Sequence, residues 1–78
     1  MSGGRPEKRS LTIRGHRTSV SLEAAFWEAF REIAEAEGKA LNALAAEIDA
    51  DRSEETNLAS AIRLHVLAWH RRARPASA

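Results

Sequence analysis

The chain has 78 residues, no cysteine and a formal net charge of +1. A hydrophobic core of that size is marginal, and without cysteine neither disulfides nor a cysteine-based zinc finger can reinforce it, so oligomerisation is the expected remedy. Met1 to Ser10 is polar and basic with no apolar h-region, and no apolar run approaches a membrane span, so the expectation is a soluble cytoplasmic protein with no membrane partner. The charge is segregated. Met1–Leu22 carries +4, Glu23–Thr56 carries −7 and Asn57–Ala78 carries +4. A polyanion would be drawn to the two ends and repelled by much of the middle.

Residues 1–10 contain glycines, a proline and basic residues without an apolar pattern, which predicts a flexible basic arm. Leu11 and Ile13 alternate at odd positions, whereas Val20 and Leu22 are apolar at even positions. Gly15 lies between the two phases, where a bulge or bend would shift the register by one residue; alternatively 11–14 is a separate extended arm. His16 to Leu22 reads as the one convincing strand. Val20 and Leu22 face one side with Thr18 and His16, and Arg17, Ser19 and Ser21 face the other. A lone strand leaves its backbone groups without a ladder, so its partner is expected from a second copy of the chain.

Glu23–Glu37 predicts the first helix, with Phe26, Phe30 and Ile33 at i, i+4 and i+7, Trp27 beside that stripe, and Gly38 placed to end it. Leu41 to about Asp49 predicts a short second helix through Leu44, Ala45 and Ile48. It has no capping residue at Ala40. Asn57, with Ser53 as competitor, is a candidate cap for a third helix from Leu58 to about Arg72. Leu58, Ala61, Ile62, His65, Val66 and Trp69 form its apolar face, and residues 73–78 are a tail. The domain reading is thus an arm at 1–10, a domain at 11–72 and that tail.

No nucleophile sits in a motif context with a base and an orienting acid, so no catalytic residue and no enzyme activity are expected. His65 and His70 are five apart and do not share a helix face, so no metal site is expected, nor any cofactor. His65 falls on the apolar face as a packed or hydrogen-bonded histidine. Nucleic acid is the better candidate. Two antiparallel strands fit the major groove of B-DNA, and Arg17, Ser19 and Ser21 would lie on the outward face, twice over. The bland alternative is a solvated sheet face.

The set Arg17-Thr18-Ser19-Val20-Ser21-Leu22-Glu23, the Phe26/Phe30/Ile33 helix, Glu37-Gly38 and Leu41-Asn42-Ala43-Leu44 resembles the ribbon-helix-helix DNA-binding proteins of the Arc and MetJ class. With Arg14-Gly15-His16-Arg17 and the Asn57-Leu58-Ala59-Ser60-Ala61-Ile62-Arg63 helix, it is most similar to a compact bacterial subgroup with an extra C-terminal helix. The resemblance covers about residues 9 to 70. It implies a mostly α fold, an intertwined homodimer with an intermolecular two-stranded antiparallel sheet, and a ribbon in the major groove of double-stranded DNA. Base reading then falls to Arg17, Ser19 and Ser21. Phosphate binding falls to the Ala40-Leu41-Asn42 turn, that is Leu41 and Asn42, where free N–H groups and the helix dipole favour an anion. Lys8, Arg9 and Arg14 are expected to add phosphate contacts. The expected dimer core is Val20, Leu22, Phe26, Phe30, Ile33, Leu44 and Ile48. The two departures are Ala40, where a capping Ser or Thr is commoner, and the short second helix. The expected role is a transcriptional regulator. The rival is an antitoxin or adaptor that binds a protein partner through the acidic helical face.

Overall fold

The computed structural model describes residues 5–73. Two strands and three helices follow one another: β1 (Pro6–Ile13), β2 (His16–Glu23), α1 (Ala24–Ala36), α2 (Leu41–Asp51) and α3 (Leu58–Ala73). β1 and β2 pair antiparallel as a hairpin, with Ile13 opposite His16 and Pro6 opposite Glu23.

The hairpin corrects two expectations. His16–Leu22 is not a lone strand, and its ladder partner lies in the same chain. Residues 6–10, expected in a flexible arm, belong to β1. The rest of that arm, 1–4, and the tail beyond Ala73 lie outside the described residues. The change of apolar phase at Gly15 now has a cause. A two-residue turn reverses the chain between Ile13 and His16, so odd positions of β1 face the same way as even positions of β2. Leu11, Ile13, Val20 and Leu22 therefore meet on one buried face.

Both turn residues are left-handed, Arg14 at φ 53° and Gly15 at φ 83°, the type I′ geometry whose twist matches a hairpin. Glycine accepts this freely, whereas arginine is penalised by about 1–2 kcal/mol. Asparagine tolerates the region. Arg14→Asn is expected to raise stability by up to about 1 kcal/mol, read as a higher urea midpoint. A lower midpoint would contradict the turn assignment.

α1 ends as its sequence requires. Gly38 takes φ 68°, its N–H donates to the Glu35 carbonyl (3.1 Å), and the Lys39 N–H donates to the Ala34 carbonyl (2.9 Å). This is the Schellman pairing. α3 starts on Asn57, whose Oδ1 accepts the Ser60 N–H at 2.8 Å. Ser53 pairs with the Thr56 hydroxyl instead, inside the connection. α2 starts at Ala40 with no side-chain cap.

The inner face of the hairpin packs against the helices to make one core. Its fully enclosed large side chains are Phe30, Leu22, Ile33, Leu44 and Ile62. Val20 and Ile48 are also buried, so most residues expected in a dimer core lie in the core of the single chain. Phe26 is the exception and is only partly buried. Trp27 takes the deeper position, at 3% exposure. The reason is β1: the second strand widens the sheet, and the Trp27 Nε1–H donates to the Glu7 carbonyl at 2.9 Å.

Phe26 instead lies under the Arg63 guanidinium, 5.8 Å from the ring centroid. Arg63 also donates to both carboxylate oxygens of Glu23, at 3.0 and 3.2 Å, tying the end of β2 to α3. A backbone hydrogen bond at Glu23 itself, and then Arg63, hold this carboxyl below its ordinary value of 4.5. A carboxylate whose folded pKa is depressed contributes stability above the unfolded pKa and loses it as pH falls through the folded one. Glu23→Gln is therefore expected to lower stability at neutral pH and to flatten its decline below pH 4.5. Parallel wild-type and variant acid curves would refute this role.

Candidate nucleic-acid interface

The face of the hairpin turned away from the helices is polar and open. Its cross-strand pairs are Lys8 with Ser21, Ser10 with Ser19, and Thr12 with Arg17. All six are exposed. Alternation dictates the set, because every second residue of each strand must face away once Leu11, Ile13, Val20 and Leu22 are buried. Arg17, Ser19 and Ser21 were legible as one outward row. Ser10 and Thr12 were missed, and Lys8 was expected to touch phosphate from a flexible arm rather than from this face, because β1 was not recognised. The signal that finds them is Arg14-Gly15 read as a two-residue hairpin turn.

The cations divide into two groups. Arg9 is tied to Glu7 (2.9 Å), Lys39 to Glu37 (3.1 Å) and Glu47 (2.7 Å), Arg52 to Asp49 (2.7 Å), and Arg63 to Glu23 (3.0 Å). Lys8, Arg14 and Arg17 on the hairpin have no ion-pair partner among the described residues, nor do Arg5, Arg31, Arg71 and Arg72. Arg9 lies on the opposite side of the strand from Lys8, its guanidinium 5.2 Å from the Trp27 ring centroid. The residues expected to touch phosphate thus separate: Lys8 and Arg14 are exposed without partners, while Arg9 covers the tryptophan.

The N-terminus of α2 sits beside this face. Asn42 Oδ1 accepts the backbone N–H of Thr12 at 3.1 Å, fastening the first turn of α2 to the edge of β1. With no side-chain cap on Ala40, the N–H groups of the first turn are open to a ligand. Lys39 stands next to them. Its ammonium is bridged by Glu47 and then Glu37, which raise its pKa above 10.5. The Asn42 side-chain oxygen is therefore a structural acceptor, which leaves the uncapped backbone N–H groups of this turn as its anion-binding part.

The two strand edges differ as well. Residues flanking a two-residue turn form a hydrogen-bonded pair, and bonded pairs then alternate along the hairpin. By that alternation Thr12 points its N–H away from β2, toward Asn42. Arg17, Ser19 and Ser21 likewise point theirs to the outer edge of β2. A groove of about 510 Å³ runs along that edge, lined by Thr18–Ser21 on one side and by Arg52, Glu54, Glu55, Asn57, Leu58 and Ala59 on the other.

Glu54 and Glu55 are thus the acidic residues beside the β2 edge. Glu28, Glu32 and Glu35 line the exposed side of α1. His65 is half-buried on α3, and its Nε2 is enclosed without a hydrogen-bond partner. Among the described residues no three His, Asp or Glu side chains are grouped to hold a metal ion, and no helix is long and apolar enough to cross a membrane.

A family model for the ribbon-helix-helix domain matches residues 6–70, from the first residue of β1 nearly to the end of α3. No curated protein and no solved structure matches the chain. With the hairpin, its polar outer face and the helix pair behind it, the chain belongs to the ribbon-helix-helix domain family, a family of DNA-binding regulators.

Proposed function

We propose that the protein binds double-stranded DNA sequence-specifically as a homodimer and acts as a transcriptional regulator in the bacterial cytoplasm. The observation that carries this reading is the outer face of the hairpin. It is a twisted two-stranded surface bearing Arg17, Ser19, Ser21, Lys8, Ser10 and Thr12, all exposed, with its two cations unpaired. Arg17 has the fork geometry for guanine O6 and N7, and serine hydroxyls pair with several bases. Lys8 and Arg14 supply charge without sequence information, as do the open N–H groups at Leu41 and Asn42.

The free edge of β2 supplies a place for the second copy. Antiparallel pairing of two β2 edges about Ser19 keeps Arg17, Ser19 and Ser21 of both chains on one face. The two β2 strands, about 4.8 Å apart, then form the central ribbon over the base edges in a groove about 12 Å wide. The two β1 strands flank it and carry Lys8 toward the phosphates. Ser19→Pro removes an N–H from that edge and is tolerated only where the N–H is not needed within the hairpin. It is expected to abolish this pairing in sedimentation while the hairpin survives.

The experiment is selection of bound duplexes from a random pool, followed by a salt titration of the best sequence. An enriched motif and a linear fall of log affinity with log salt are expected. Lys8→Ala should weaken all duplexes about equally and reduce the salt slope by about 1. A pool that shows no enrichment at low salt would refute sequence-specific binding.

A further inference from the structure

The outer side of α3 is not used by the core or by the hairpin face. Leu64 and Leu67 are 60% and 51% exposed, and they are the exposed large hydrophobic side chains of the described residues. With Ala68 and Arg71 they follow i, i+3, i+4 and i+7, one stripe of a helix. This stripe lines a groove of about 400 Å³ together with Arg72. Leu64 also lines a second groove, shared with Glu47 and Asp51 of α2. The two grooves meet at Leu64: the first is also lined by Arg52, which is tied to Asp49, so Asp51 is its unpaired charge, and Arg71 and Arg72 line the basic end of the second.

We infer that this surface is a self-association site, in which α3 of one chain packs antiparallel on α3 of a second copy. A two-fold interface must be complementary to itself. An axis between residues 67 and 68 makes this surface so. Leu67 of each chain meets Ala68 of the other, where the small side chain lets the helices approach. Arg71 of each meets Leu64 of the other, beside the second chain's Asp51. Asp51 has no ion-pair partner among the described residues, whereas Glu47 is already bound to Lys39. The charge arrangement selects a second copy over an unrelated apolar partner. It also selects the antiparallel sense, because a parallel pair would set Arg71 against Arg71 and Asp51 against Asp51.

This face lies on a different element from the free edge of β2. If both contacts form, the assembly exceeds two chains, and copies bound to neighbouring DNA sites are held together. The α3 contact does not depend on DNA binding or on the β2 pairing. It is read separately from them.

The test is sedimentation of the full chain over a range of concentrations, without DNA, comparing wild type with the double variant Leu64→Asp, Leu67→Asp. The variant is expected to sediment at half the wild-type limiting mass with unchanged helical circular dichroism. Arg71→Asp should weaken association, and adding Asp51→Arg to it should restore association by exchanging the charges across the axis. Equal masses for wild type and a folded double variant would overturn the proposal, as would a swap that fails to restore association. Because the natural chain has no cysteine, Ala68→Cys gives a measurement that does not require the double variant to fold. Oxidation or a short bis-maleimide is expected to link Cys pairs at 68 in high yield but not pairs from Glu35→Cys on α1. Equal yields at the two positions would likewise overturn it. Retention of α3 association in the Ser19→Pro background, or in a protein that binds no DNA, separates this site from the DNA-binding reading.

Discussion

Replacing Arg17 with alanine is expected to leave the protein folded and to flatten its sequence preference. The side chain is exposed, points away from the core and has no ion-pair partner among the described residues, so truncation removes nothing that holds the hairpin. Each good bidentate pair to a base discriminates by about 1–3 kcal/mol, and 1.4 kcal/mol is tenfold. The ratio of affinities for the selected duplex and for its mismatch should thus fall roughly tenfold to a hundredfold. Affinity for random duplex should fall only by the loss of one charge. The contrast with Lys8→Ala is the discriminating part of the prediction. Lys8 lowers every affinity together, whereas Arg17 lowers mainly the best one. Competition binding with matched and mismatched duplexes measures both. An Arg17→Ala protein that keeps its full ratio would remove this residue from the reading face.

Phe30→Ala is expected to unfold the chain or bring it to the edge of unfolding. Phe30 has no exposed surface and packs beside Trp27, with ring centroids 6.3 Å apart. Its truncation costs about 3–5 kcal/mol in lost transfer energy and cavity. Small domains have about 5–15 kcal/mol in total, and one of this length belongs near the lower end. The loss is therefore a large share of what is available. Thermal unfolding followed by circular dichroism should show a broad transition at much lower temperature, or none. Phe26→Ala is the natural comparison. Phe26 is only partly buried under Arg63, so the smaller loss is expected there. If the two variants proved equally damaging, the observed depth of Trp27 and Phe30 over Phe26 would be wrong.

That reversal between Phe26 and Trp27 shows what the sequence withheld. Helical spacing placed both aromatics near one stripe but could not say where the stripe was centred, because that depends on the width of the sheet beneath. The missed strand decided it. β1 was obscured by its own ends, since Pro6–Ser10 is polar, basic and exposed throughout, and only Leu11 and Ile13 carry an apolar signal. Arg14 hid the turn, because arginine is an uncommon residue at a left-handed position. Features set by local chemistry were legible: Gly38 ends α1, Asn57 caps α3, and Arg17, Ser19 and Ser21 share an outward face. Features set by long-range contact were not. Nothing in the chain order foretells that Asn42 grips the Thr12 backbone or that Arg9 folds over Trp27. The Leu64 and Leu67 stripe had the right period to be core. It is left outside because Leu58, Ala61, Ile62 and Val66 already fill the inner side of α3.

On the proposed reading, the outer hairpin face, together with the start of α2, is the surface that meets DNA. Backbone amide shifts recorded during titration with the selected duplex test it most directly. The largest changes are expected at Lys8, Ser10, Thr12, Arg14, Arg17, Ser19 and Ser21 and in the Leu41–Ala43 turn, with little change at Glu28, Glu32 and Glu35. Changes concentrated on α1 or α3, with the hairpin amides unmoved, would contradict it.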